Sequence, residues 1–176
     1  IKNEFTSSTD NTATSAVNLM VNDFIFYYEK GFRANKFGIP GGVFSSTPLP
    51  EKVEDYYSRS NSRTLSLEAF DAIQAFYEGK NLSTGTSYSG ASLKSIITEL
   101  DTKEGNDNLG NKISDKLKAA REKIVILDHN FVDQIQSDNN TFLQTYDAIQ
   151  EVVVLLKVDM LQFLSINVDY VDADGD

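Results

Sequence analysis

Apolar residues recur along this chain at steps of three and four, the period of an amphipathic helix, and the phase of that pattern marks out each predicted element. The first helix is predicted from Thr9 to about Asn35, with Val17, Met20, Val21, Phe24, Tyr27, Tyr28 and Phe32 on one face and Thr9 or Asp10 as its cap. Phe37-Gly38-Ile39-Pro40-Gly41-Gly42 is expected to end it, because Pro40 biases Ile39 out of the helical region and glycine tolerates positive φ. A second helix is predicted from Thr64 or Ser66 to Lys80, stopped near Gly79, and a short one from Ser92 to Lys103, closed by Gly105. The Ser/Thr/Gly-rich run Asn81–Gly90 connects those two.

The strongest pattern is Leu109, Ile113, Leu117, Ala120, Ile124, Leu127, Phe131 and Ile135. It predicts one unbroken helix of roughly 40 Å at 1.5 Å per residue. Ser137-Asp138-Asn139-Asn140 offers turn and capping chemistry, and a last helix follows from Thr141 to about Ser165. Ile166–Asp172 alternates apolar and acidic residues, as a short edge strand does. Three long helices and one or two shorter ones bury such stripes most economically as an all-α, up-and-down helical bundle. Residues 1–176 are expected to form a single domain.

Residues 37–63 hold all three prolines, Pro40, Pro48 and Pro50, and lack a long periodic pattern. Loops beyond about 12–15 residues are uncommon in compact domains unless they are functional, packed against another surface or disordered, and the aromatic and acidic content here favours the first two. Within this loop Pro50 suits the first position of a helix and Glu51 its positive end, so Pro50–Ser58 is expected to make one or two turns with Glu54 and Ser58 on one face.

Composition narrows the chemistry. Sixteen Lys and Arg stand against 26 Asp and Glu, a net charge of −10, which argues against a phosphate-tracking face and so against nucleic acid. No apolar run approaches the roughly 20 residues of a membrane span. The absence of Cys removes thiol nucleophiles, disulfides and cysteine-ligated metals, and a single histidine, His129, cannot build the HExxH spacing of zinc hydrolases. The chain opens on Ile1-Lys2-Asn3 without an initiator Met or an apolar leader, as expected of a processed chain or a piece of a longer one.

His129 with Asp133 four residues on could begin a metal site, but His129 sits off the apolar stripe and the preferred reading is a solvent-facing histidine. Tyr170–Asp176 has the acidity of a calcium loop without its first carboxylate or its twelfth-position Glu, so a solvated acidic tail is expected. Glu54, Tyr57 and Ser58 are the more informative set. A carboxylate, a phenol and a hydroxyl can orient a polar ligand or coordinate a hard cation through oxygen, and they can equally cap neighbouring turns. Ser58 has no local histidine to act as its base, and no residue of the chain is assigned a catalytic role.

Lys36-Phe37-Gly38-Ile39-Pro40-Gly41-Gly42, then Pro50-Glu51-Lys52-Val53-Glu54-Asp55-Tyr56-Tyr57-Ser58, and the closing Asp174-Gly175-Asp176 together resemble the second half of the imelysin-like proteins. That family carries K-L-G-x-P-x-G after a long helix, then V-E-x-x-Y/F-S after an extended loop, and commonly ends in D-G-D. The resemblance implies the C-terminal half of an exported protein of the periplasm or cell envelope, often a lipoprotein anchored outside this segment, made of two helical-bundle halves and linked to iron uptake. The family is also classed as a peptidase. Its G-x-H-x-x-E hallmark belongs to the first half; around His129 the corresponding positions are Leu127 and Val132, so it is absent here.

By that resemblance Val53, Glu54, Tyr57 and Ser58 correspond to the family's stretch, Glu54 being a candidate ligand or hydrogen-bond acceptor with Tyr57 and Ser58 beside it. Iron, where bound, is expected to be held mainly by a missing N-terminal half, which is the implied partner. The expected function is one wall of an inter-domain metal or ligand site. The alternatives are a metallopeptidase half, with Glu54 assisting a metal held by the other half, and a surface interaction module without a small ligand.

Overall fold

A computed structural model of the chain describes residues 2–7, 12–104 and 108–169. It is all-α, and the helices form a bundle around one cluster of buried apolar side chains. A short α1, Lys2–Ser7, precedes α2, Ala16–Phe26, which Ser15 caps by accepting from the Asn18 N–H. The predicted caps Thr9 and Asp10 lie outside the described residues.

The predicted end of this helix is corrected. Its winding loosens at Tyr27–Gly38 into a π-helical stretch, then closes with one further turn, Ile39–Gly41. Ile39 stays helical at φ −65° and ψ −53°, with its N–H on the Ala34 carbonyl five residues back. A proline inside an α-helix removes a donor and crowds the carbonyl four residues earlier; the wider π turn ahead of Pro40 relieves that crowding. Gly42, at φ 86°, is the true stop.

Three helices follow: α3, Ser62–Glu78, ended by Gly79 at φ 66°, α4, Leu93–Glu104, and α5, Leu109–Val125. The chain then reverses and enters α6, Phe131–Val154, which runs on through a second π-helical stretch, Leu155–Met160, to a final turn, Leu161–Phe163. The predicted 40 Å helix is therefore two helices. Asn130 leaves helical geometry at φ −106° and ψ 106°, and its side chain accepts from the Val132 N–H, so a capping residue breaks a stripe that the apolar residues alone would continue. The predicted turn at 137–140 survives as a kink: Asp138 sits at φ −151° and ψ 78° and caps Thr141 through both its N–H and its hydroxyl.

Helix α5 packs on α3, α4 and α6, while α6 packs on the π-helical stretch that follows α2. Where these meet, Tyr28, Phe32, Phe37, Phe70, Phe131 and Phe142 form a continuous ring cluster with centroids 5.2 to 6.5 Å apart. Each fully buried Phe stabilises the fold by roughly 2–3 kcal/mol of transfer free energy. Between α4 and α5 the helices approach at Gly110, where a Cβ would lie 2.5 Å from the Thr98 hydroxyl.

The predicted edge strand does not form within 166–169. Ile166 is buried, and Asn22 pins the segment by donating to the Asn167 carbonyl and accepting from the Asp169 N–H. Among the described residues there is no strand, only a single bridge between Lys80 and Ser87 in the Ser/Thr/Gly-rich connector. Gly105 and the residues from Tyr170 to Asp176, with their acidic close, lie outside the described residues. Among those described, no helix is long and apolar enough to cross a membrane.

Candidate functional site

The proline loop is held to the π-helical stretch by the residues that made its sequence distinctive. Lys36 donates its ammonium hydrogens to the Glu54 carboxylate. Gly38 leaves room for Phe44, since a Cβ there would lie 2.5 Å from Cε2 of that ring. The Pro40 carbonyl accepts from the Leu49 N–H at 2.8 Å, and the Gly41 carbonyl from Asn139 Nδ2 at 3.0 Å. Lys36, Gly38 and Pro40 thus fasten residues 44–54, while Gly41 ties the same turn to α6.

Beyond the fastening, the predicted shared helical face of Glu54 and Ser58 is not made. Pro50–Lys52 forms a single 3-10 turn, Val53 turns extended at ψ 132°, and Asp55 takes φ 68°, so no helix spans the two residues. Glu54 faces Lys36 and keeps about half its side chain exposed (49%), whereas Ser58 turns its hydroxyl to Asp55. Tyr57 is 97% exposed and rests edge-on against Tyr56, with ring centroids 5.4 Å apart. The three candidate residues are neighbours on one surface loop with separate partners.

Sequence reasoning missed the residue that organises the loop's tip. Asp55 accepts from the Ser58 hydroxyl, from the Asn61 N–H at 2.7 Å and from the Ser60 N–H at 3.0 Å. Those donors, the Ser58 hydroxyl foremost, hold its carboxyl below the usual carboxylate range. An Asp with a Ser three residues on was the available signal, since aspartate commonly closes such turns with its own side chain. The Ser58 oxygen retains acceptor capacity only, because its hydrogen is committed to Asp55.

Sequence reasoning also missed the polar cluster beneath the loop. Arg33, 1% exposed, donates from Nη1 to the Tyr146 hydroxyl at 2.6 Å and to Gln150 Oε1 at 2.7 Å. Its Nη2 lies 3.4 Å from Glu29 Oε1, and Lys157 reaches the same oxygen at 3.4 Å. The guanidinium also lies 5.8 Å from the ring centre of Phe44, so the cluster supports the loop from inside. Both π-helical stretches contribute to it, Glu29 and Arg33 from one and Lys157 from the other. The signal was a Glu and an Arg four residues apart beside the apolar stripe. Tyr28, next to this cluster, has its phenol pushed well up by burial, partly opposed by the Arg33 charge.

His129 lies at the reversal before α6 with its side chain 65% exposed, and its Nδ1 is 2.9 Å from Asp128 Oδ1. It is a solvent-facing residue, and Asp133 instead accepts from the Asn130 side chain. Among the described residues, no three His, Cys, Asp or Glu side chains come together as a metal site. The loop offers Glu54, Tyr57 and the acceptor face of Ser58 as exposed oxygen donors on a fixed base.

Comparison with known proteins adds the family. A family model described as Imelysin, Peptidase_M75, matches residues 1–158. A solved structure, titled as an imelysin peptidase from Bacteroides ovatus, has the same fold, with a TM-score of 0.70 at 22% identity. The alignment covers 92% of this chain and 43% of that one, so the chain spans less than half the length of the solved protein. No match is found among curated proteins. With the family model spanning nearly the whole chain and the bundle reproduced, this protein belongs to the imelysin family.

Proposed function

We propose that this chain is the C-terminal half of an exported, iron-linked imelysin protein and that its proline loop forms one wall of a metal or ligand site completed by an N-terminal half. The observation that carries the proposal is the Lys36–Glu54 pair: a partly exposed carboxylate fixed by a cation from the helix, beside a Tyr57 that is 97% exposed. An exposed loop with free ends would spend entropy on being ordered at binding; this one is fastened beforehand at Phe44, Leu49 and Glu54. The share of the solved relative that the chain spans, 43%, supports a second half elsewhere in the polypeptide.

In this reading Glu54 is a ligand or acceptor, Tyr57 and the Ser58 oxygen line the wall, and iron is held mainly by the other half. The protein works in the periplasm or at the cell envelope, and membrane attachment, where present, comes through a lipid anchor outside this chain. Lys36 lowers what Glu54 alone can offer a cation, because a like charge about 4 Å away costs about 1 kcal/mol even in water. Binding by the isolated half is accordingly weak. Isothermal titration of the 176-residue chain with iron tests the proposal. Saturable uptake near one equivalent that Glu54→Ala removes is the expected result; uptake indifferent to that substitution overturns it.

A peptidase role is supported by the names of the family model and of the solved relative. It would require Glu54 to assist a metal held by the other half, and it predicts protein hydrolysis by the joined halves that chelation abolishes.

A further inference from the structure

Far from the proline loop, α2 and α3 diverge to leave an open groove of about 550 Å³, with α1 as its third wall. Met20, Asp23, Phe24 and Tyr27 enter it at successive steps of three, one and three along α2 and the start of its π-helical extension. Phe76 faces them from α3, and Phe5 from α1. Phe24 and Phe76 stack with centroids 5.0 Å apart and an interplanar angle of 28°, forming the floor. The Tyr27 ring lies along the helix over Gly31, where a Cβ would sit 2.8 Å from Cδ2, so its phenol stands at the rim.

Among the described residues, Asp23 is the only charged side chain of the lining. Among the described residues its carboxylate has neither a hydrogen-bond donor nor a cation, and Lys30, seven residues on, is engaged with the Phe26 ring at 5.4 Å. A carboxylate without a counter-ion among aromatic faces favours a positive charge on an apolar body, since the ring faces and the carboxylate attract the same sign. Its volume is also within the range of about 300–1,000 Å³ typical of small-molecule sites, whose walls are mostly apolar with few polar groups. We infer that the groove binds a small organic ammonium with a hydrocarbon or aryl tail, the ammonium on Asp23 and the tail on Phe24 and Phe76. This inference is independent of the proline loop and of any metal there.

Phenylbutylammonium, phenylbutanol and phenylbutyrate, three probes of one shape and different charge, test it when titrated into the 176-residue chain and followed by backbone amide NMR. The ammonium is expected to shift the signals around Met20–Tyr27 and Phe76 saturably. It should bind about fivefold tighter than the alcohol, with the carboxylate weakest, as for an exposed ion pair. Asp23→Asn should erase that ranking while leaving the fold intact, because Asp23 is exposed, and Ala72→Leu, on the exposed α3 wall, should block all three. Equal affinity for the three probes, a ranking that survives Asp23→Asn, shifts located elsewhere or no saturation would each overturn the inference. So would sedimentation showing a dimer that buries this groove and that the ammonium does not dissociate.

Discussion

Replacing Arg33 by Met tests whether the cluster under the proline loop holds the bundle together. The guanidinium is 1% exposed and gives hydrogen bonds of 2.6 and 2.7 Å to Tyr146 and Gln150, besides its 3.4 Å contact with Glu29. Met preserves much of the apolar stem but strips Tyr146 and Gln150 of a donor and leaves the buried Glu29 with one cation fewer. Removing one partner of a buried ionic cluster costs about 3–5 kcal/mol. With a urea dependence of about 2 kcal/mol per molar, the unfolding midpoint should fall by about 2 M. Urea denaturation followed by circular dichroism reads this directly. Glu29→Gln combined with Arg33→Met should be less destabilised than the two single changes added together, because the second change removes the charge stranded by the first. A midpoint shift below about 0.5 M, or strict additivity in the double variant, would refute the assignment.

Burial pushes the phenols of Tyr28 and Tyr77 above the ordinary tyrosine range, the negative charges of Glu78 and Asp101 adding to the effect at Tyr77. Unfolded tyrosine ionises near about pH 10, so this stabilisation is complete below that value and is lost as pH rises towards the folded-state values. Chemical denaturation across pH 9–12 should therefore show a steeper loss for the unaltered chain than for Tyr28→Phe or Tyr77→Phe, about 1 kcal/mol also being lost at neutral pH when the Tyr77 bond to the Gly110 carbonyl is removed. The Thr141 hydroxyl and N–H hold the Asp138 carboxyl below its usual range, so its contribution is present above the unfolded value and lost as pH falls through the folded one. Asp138→Asn should flatten the acid limb of the stability profile. Gly110→Ala should cost about 1–3 kcal/mol, because its Cβ would meet the Thr98 hydroxyl at 2.5 Å and the Lys94 carbonyl at 3.3 Å across the α4–α5 contact. Thermal unfolding measures that loss, and an unchanged midpoint would contradict the close approach.

Much of the bundle was legible because its stripes are strong. Phe70, Ile73 and Tyr77 on α3 and Ile113, Leu117, Ala120 and Ile124 on α5 are buried as their spacing predicts. The break between α5 and α6 was not, because Leu127, Phe131 and Ile135 keep the same spacing through the reversal while residues 126–130 leave the helix and Asn130 caps the next one. The π-helical stretch left a faint mark: Phe32 and Phe37 are both buried yet stand five apart, one more than an α-helical face allows. Pro40 pointed to a helix end, and it was tolerated because the winding ahead of it had already widened.

At the site, the motif residues Lys36, Gly38 and Glu54 were identifiable from sequence, but their contacts with one another were not. Lys36 and Glu54 are 18 residues apart across a non-periodic loop, so no spacing rule pairs them. The Glu29–Arg33–Lys157 cluster was hidden for a related reason: Lys157 lies 128 residues from Glu29 in sequence. Charged residues beside an apolar stripe usually face solvent, and here only tertiary packing turns them inward.

The most direct test of the proposed site is paramagnetic line broadening in the amide spectrum of the 176-residue chain as ferric iron is added in small steps. The account predicts that signals from Lys36 and Val53–Ser58 fade first and that Glu54→Ala restores them. Fading that starts instead at the acidic surface of Glu68, Asp71 and Glu78, or that spreads uniformly over the chain and ignores Glu54→Ala, would contradict it.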